Sequence, residues 1–234
     1  MDRRQFNQSG VALGAAWVIV APEKTWALSI ADLSNSEASR GLKTALERGV
    51  HSAVNLLGRP DGFLGNERVR IPLPAVLAQA SDMLRLFGQG QRLDELVTSM
   101  NRAAEAAVLL ATGLLVEAVK NMSLEDARKI LQGGETSATD FFAEKTQMPL
   151  SQKFLPVVTQ ATEKVGLAEK YNQLAGRAAD AGLMRREEAN IEQFVTTKTL
   201  AGLYLMIGEE EKKIRNDPVA TGSALLSKVF GALK

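Results

Sequence analysis

The stretch Leu93–Leu115, LDELVTSMNRAAEAAVLLATGLL, decides the fold. Leu93, Leu96, Val97, Met100, Ala104, Ala107, Val108, Ala111, Leu114 and Leu115 recur at spacings of three and four. A helix turns once in 3.6 residues, so these side chains form a single stripe and predict a helix buried along one face. A polar stripe runs beside it: Asp94, Thr98, Asn101, Glu105 and Thr112, with Arg102 adjacent. A solvated helix face is the ordinary explanation for such a stripe. The alanines at 103, 104, 106 and 107 argue for a second helix close by, which would enclose part of the polar set.

Helical periodicity continues on both sides. Ser34–Leu57 reads as a helix or helix pair, and Ala75–Phe87 as a helix ended by Gly88-Gln89-Gly90. Ser123-Leu124-Glu125-Asp126 opens another with a capping-box pattern, and Gly133-Gly134 closes it. Further helices are predicted at Ala138–Lys145, Leu150–Val165, Leu167–Ala181 and Ile191–Arg215. Leu200–Ile207 is apolar nearly all round, which predicts a central core position. A last short helix is predicted from Pro218 to near Phe230. Between the first two helices lies Gly58–Pro74, GRPDGFLGNERVRIPLP, full of turn residues. Its strand candidate, Arg68–Leu73, contains Pro72 and abuts Pro74, which argues against a ladder. The expectation is an all-α, single-domain multi-helix bundle over residues 28–234, with one long irregular loop at about residues 58–74.

Composition agrees. Apolar residues are 45% of the 234 and aromatics only 5%, so the core is built from Leu, Ala and Val, which suits close-packed helices. Residues 1–27 hold Arg3, Arg4 and Lys24 against Asp2 and Glu23. The remainder carries 25 basic and 25 acidic side chains. A neutral chain has no large electrostatic footprint for nucleic acid or anionic lipid. There is no cysteine, which excludes disulfides, thiolate metal sites and cysteine nucleophiles. The single histidine, His51, excludes a His-rich metal site.

The N-terminus reads as an address. Met1–Gly10 is polar with paired Arg3-Arg4, Val11–Ala21 is apolar, Pro22 breaks the run, and Thr25-Trp26-Ala27 ends with small residues at the outer positions. This is the grammar of a cleavable signal peptide over residues 1–27, with the cut after Ala27. The apolar run is shorter than the roughly 20 residues that span a bilayer. Arg3-Arg4 followed by Phe6, an h-region diluted by Gly14, and Lys24 near the cut resemble the twin-arginine type. Asn7 and Gln8 depart from that pattern, and an ordinary secretory signal is the alternative. No transmembrane candidate follows residue 27. The expected location is periplasmic or otherwise exported.

The strings Asp61–Asn66 (DGFLGN), Ile71–Pro74 (IPLP), Glu95–Glu105 (ELVTSMNRAAE), Lys153–Pro156 (KFLP), Val165–Asn172 (VGLAEKYN), and Met206-Ile207 followed by Glu209-Glu210-Glu211-Lys212 together resemble a bacterial family, domain of unknown function 4197. The resemblance spans about Leu33 to Gly231. It implies an envelope-facing helical protein and brings no activity. Leu109–Gly113 (LLATG) departs from the more polar, Pro-containing segment expected there, so this chain is expected to run one longer helix at that point.

Candidate chemistry is sparse. His51 lacks a second histidine, and no G-x-S-x-G elbow occurs. Glu209-Glu210-Glu211, with Glu105 or Glu117, lacks the Glu-x-x-His pairs of di-metal bundles and reads as a solvated face with i,i+4 pairing to Lys212-Lys213. Asp61, Asn66 and Glu67 suggest calcium, but Phe63-Leu64 stands where ligands belong, so the better reading is a loop turned by Gly62 and Gly65 and plugged onto the core by Phe63 and Leu64. The pairs Gly88/Gly90 and Gly133/Gly134 read as helix caps. No metal and no cofactor is expected. The ligand or partner candidates are Asn101, Arg102 and Glu105 on the helix and Asp61 and Asn66 in the loop, with Arg102 expected to pair across a helix interface or with an anion. The functional expectation is a non-catalytic binding or interaction protein of the envelope, its partner an unknown protein or small ligand. The alternatives are a hydrolase-like enzyme using carboxylates and Arg102, and a lipid or small-ligand carrier.

Overall fold

The computed structural model describes residues 35–217, except Leu183 and Glu187. These residues form eight helices and no strand: α1 (Asn35–Gly58), α2 (Ala75–Leu86), α3 (Gly90–Val108), α4 (Ala111–Lys120), α5 (Leu124–Gln132), α6 (Ser137–Thr162), α7 (Gly166–Asp180) and α8 (Ile191–Asn216). The all-α bundle with its irregular segment between α1 and α2 is therefore present. The signal-peptide reading and the helix from Pro218 lie outside the described residues.

α8 is the hub, packed on α6, α1 and α3. Its buried residues include Val195, Leu203, Met206, Ile207 and Ile214, so the Leu200–Ile207 run is central as expected, with Leu205 alone among its large side chains exposed. α6 lies antiparallel to α8: Thr162 meets Glu192 at one end and Ala138 meets Glu211 at the other. α4 and α5 cover α1 and α6, while α2 and α7 flank α3. The predicted stripe of α3 is buried through Leu93, Leu96, Met100, Ala104, Ala107 and Val108. Of the four alanines, 103, 104 and 107 are buried and 106 is exposed.

Two boundaries differ from the sequence reading. The expected longer helix across Leu109–Gly113 is broken: α3 ends at Val108 and α4 starts at Ala111. Leu110 N–H donates to Ala107 O at 3.0 Å, a tight turn that redirects the chain. The turn keeps Ala111, Leu115 and Val119 facing the core. Conversely, Ala138–Lys145 and Leu150–Val165 are one helix, α6, that runs through Pro149 and Pro156. Each proline removes a bond to the carbonyl four residues back. Those carbonyls belong to Lys145 and Gln152, both on the exposed face, where water can serve them. On the inner face Phe142, Thr146, Leu150, Phe154 and Val158 are buried, and that packing outweighs the local break.

The 58–74 loop folds onto the body. Phe63 and Ile71 are fully buried, Val69 nearly so. Gly202 makes room for them: a Cβ there would stand 2.8 Å from the Phe63 ring and 3.3 Å from Val69 Cβ. Gly62 is equally constrained, since a Cβ would lie 2.2 Å from the Leu57 carbonyl oxygen.

Candidate functional site

The polar stripe of α3 splits. Asp94 and Thr98 face solvent, whereas Asn101 and Glu105 are buried against the loop. Glu105 Oε1 accepts the backbone N–H of Phe63 and of Leu64, each at 3.1 Å. Its Oε2 accepts from Arg102 at 2.7 Å. Arg102 also donates to Asp61 Oδ1 at 2.8 Å, and the two carboxylates hold its pKa above the ordinary guanidinium value, Glu105 contributing more. Asp61 has φ 62°, a left-handed conformation that short polar residues tolerate. One turn earlier, Asn101 Oδ1 accepts Ile71 N–H at 2.8 Å, and its Nδ2 donates to Ile71 O at 2.9 Å and Val97 O at 2.8 Å.

Four of the five candidates thus cooperate, and what they hold is the protein's own backbone. Asn101 and Glu105 sit one helical turn apart and face the two ends of the loop. A loop of this length carries many peptide groups that helices cannot satisfy, and buried ones need partners. Arg102 pairs with the loop and its own helix rather than across a helix interface, and its side chain remains 42% exposed. Asn66 stands apart: its Oδ1 accepts Arg68 N–H at 3.2 Å in a local turn.

Two buried carboxylates escape the sequence reading. Glu211, expected on a solvated face, is only 3% exposed. It accepts the N–H groups of Ala138 and Thr139 at 2.9 Å each and the Thr139 hydroxyl at 2.8 Å, capping α6, while Arg215 donates to it at 2.8 Å. A carboxylate at a helix N-terminus meets free N–H groups and the positive end of the dipole. The other two glutamates are only partly exposed and make ion pairs, Glu209 with Arg68 and Glu210 with Lys213; the Arg68 guanidinium lowers the Glu209 pKa. Glu192 accepts the Thr162 hydroxyl at 3.2 Å and Asn172 Nδ2 at 2.8 Å, joining α6, α7 and α8. His51 is exposed on α1. Among the described residues no three His, Cys, Asp or Glu side chains gather as a metal site.

Two of the concavities large enough for a ligand have walls from three helices. One, about 650 Å³, lies between α6, α7 and the start of α8 and is lined by Thr159, Glu163, Asn172, Asn190, Glu192 and Gln193. Its inner polar atoms already bond one another through the Glu192 network, and it is widely open. The second, about 800 Å³, is a deeper groove between α2, the start of α3, and α7. Its walls are apolar: Val76, Leu77, Ala80 and Leu84 from α2, and Leu167, Leu174, Ala175 and Ala178 from α7. The Tyr171 ring joins them, while its hydroxyl donates to Glu188 O and burial raises the phenol pKa. Sequence reasoning missed this groove. Its signal lies in AVLAQASDMLRLF, which has more apolar residues than one buried helix face uses. In the fold only Leu77 of α2 is buried; Val76, Ala80 and Leu84 line the groove with it, and Met83, Leu86 and Phe87 are exposed outside it.

The profile of a protein family described as "Protein of unknown function (DUF4197)" matches residues 32–231. No curated protein and no solved structure matches the chain.

Proposed function

Starting from a chain that belongs to the DUF4197 family, we propose an exported, non-catalytic binding protein of the cell envelope that holds a small apolar ligand in the α2–α3–α7 groove. The groove carries this reading. Small-molecule sites are concave, mostly apolar and about 300–1,000 Å³, and this one offers about 800 Å³ with apolar walls from three elements. The expectation of a lipid or small-ligand carrier, which required an apolar space between helices, thereby gains support. The hydrolase alternative loses its residues, because both oxygens of Glu105 and the Arg102 guanidinium are already engaged in holding the loop. Export rests on the n-, h- and c-region pattern of residues 1–27. No helix among the described residues is long and apolar enough to cross a membrane.

The groove is tested with the neutral, apolar dye N-phenyl-1-naphthylamine and the variant Ala178→Trp, whose indole would fill the groove from α7. Saturable one-to-one binding by the native protein, lost in a variant with an unchanged melting curve, is expected. Binding that survives Ala178→Trp, or no binding, would overturn the assignment. Export is tested by the intact mass of protein recovered from a native host. A species lacking residues 1–27 is expected, and full-length protein refutes cleavage. Replacing Arg3 and Arg4 by Lys should block export by the twin-arginine route, whereas normal export leaves the general secretory route.

A further inference from the structure

The side chains at the rim of the groove are not random in sign. Arg92 from α3, Lys164 just before α7, and Lys170 on α7 border it, against one acid, Glu95. Glu95 accepts from Gln91 Nε2 at 2.9 Å, and Arg92 donates to Gln89 Oε1 at 3.0 Å. Among the described residues neither Lys164 nor Lys170 has an ion-pair partner. Elsewhere on this chain some exposed cations have acidic partners, such as Arg68 with Glu209 and Arg85 with Asp94, and others, such as Lys153 and Arg177, have no ion-pair partner among the described residues, so the sign of the rim rather than its lack of partners is the informative feature. A net positive rim around an apolar floor, on a chain whose basic and acidic residues otherwise balance, is a local departure with a chemical meaning.

We infer that the ligand is an anionic amphiphile, a single molecule with an acyl-like body in the groove and a carboxylate- or phosphate-like head met by Arg92, Lys164 and Lys170. This rests on the groove being the binding site and adds the chemistry of its occupant. The apolar body supplies burial, which is non-directional and scales with the area removed from water. The head supplies orientation. Lysine and arginine stems can lie along the apolar wall while their charged ends reach the mouth, so one ligand can satisfy both surfaces. The charge is expected to act mainly on selection and capture, since exposed ion pairs are individually weak. A partner helix would call for a long open trough. The groove is instead bounded by α2, α3 and α7, with the cations contributed from two of these walls.

The test compares 11-(dansylamino)undecanoic acid with its uncharged methyl ester, on the native protein, on Lys164→Glu/Lys170→Glu, and on the groove-filling Ala80→Trp. Ala178→Trp serves in its place should Ala80→Trp fail to fold, as judged by its melting curve. The acid is expected to bind the native protein one-to-one and more tightly than the ester. Charge reversal should weaken the acid by at least about tenfold, the combined effect of several weak exposed pairs, while leaving the ester unchanged. Rising salt should weaken only the acid, because exposed charges are screened. Equal affinity for acid and ester, or indifference to charge reversal, overturns the anionic-head assignment and leaves the groove standing. Binding of both probes that survives groove filling overturns the groove itself. Sedimentation with phosphatidylglycerol vesicles without one-to-one binding of the acid also overturns the inference, since a membrane surface rather than a single molecule would then be the partner.

Discussion

Replacing Asn101 with Asp changes one terminal group and isolates what the buried amide does. In the native protein Nδ2 donates to two carbonyls, Ile71 O at 2.9 Å and Val97 O at 2.8 Å, while Oδ1 accepts Ile71 N–H. An ionised Asp would aim a charged oxygen at both carbonyls in a site with no solvent exposure. Burial and the two carbonyls disfavour that anion and raise the carboxyl pKa, so the group takes up a proton instead. Holding that proton at pH 7 costs about 1.4 kcal/mol per unit above an unfolded value near 3.9, so about 4 kcal/mol. The protonated acid donates to only one carbonyl, and the orphaned second adds about 1 kcal/mol. The sum at pH 7 is about 5 kcal/mol, falling to about 1 kcal/mol near pH 4. The sign follows from the raised folded pKa. The variant's stability is fully present below the unfolded pKa and is lost as pH rises towards the folded one. Urea midpoints of both proteins at pH 4, 5.5 and 7, at unchanged m-values, measure it. A penalty that stays below about 0.5 kcal/mol, or one that is independent of pH, would refute the assignment of Asn101 as a loop anchor.

Glu211→Ala should destabilise by about 3–5 kcal/mol, the range for breaking a buried charge pair, because Arg215 and the α6 N-terminus lose their acceptor together; a thermal melt checks this. Ser123→Ala should remove the α5 capping box at a loss of about 1 kcal/mol by chemical denaturation. Ser123 also holds the Asp126 carboxyl below its ordinary pKa, through its hydroxyl first and its backbone N–H second. That contribution is present above the unfolded pKa and lost as pH falls through the folded one, so the difference between native and Ser123→Ala should shrink in acid. Thr196→Val should raise stability by about 1 kcal/mol, since the Thr196 hydroxyl is the buried side-chain polar atom without a partner among the described residues; a lower urea midpoint would count against that.

The sequence is most informative where one period dominates. The stripe from Leu93 to Val108 specifies both the helix and its buried face, and the Ser123–Asp126 cap is visible because its bonds join residues three apart. The turn at Leu109-Leu110 and the unbroken α6 were illegible because tertiary packing decides them. Leu109 and Leu110 are ordinary helix formers, and prolines ordinarily end helices. Asn101, Arg102 and Glu105 are legible as a polar group beside alanines and Asp61 as a loop residue, and the fold encloses Asn101 and Glu105. Their task was hidden, since the acceptors they serve are backbone groups of Phe63, Leu64 and Ile71, and a backbone donor has no sequence signature. Glu211 was hidden the same way: it follows two exposed glutamates, and only the approach of Ala138 and Thr139, about seventy residues away, distinguishes it. The groove needed three separate segments to meet.

Two places are distinct in the molecule: a loop anchor at Asp61, Asn101, Arg102 and Glu105, and the proposed ligand groove between α2, α3 and α7. Amide chemical shifts of the isotope-labelled protein, followed as 11-(dansylamino)undecanoic acid is added, test that separation most directly. The expected result is that Ala80, Leu84, Lys170, Leu174 and Ala175 shift and saturate together, while Phe63, Leu64 and Ile71, whose amides donate to Glu105 and Asn101, stay in place. Shifts centred on Phe63, Leu64, Asp61 and Arg102, with α2 and α7 unmoved, would contradict it and return the polar set to the role of binding site.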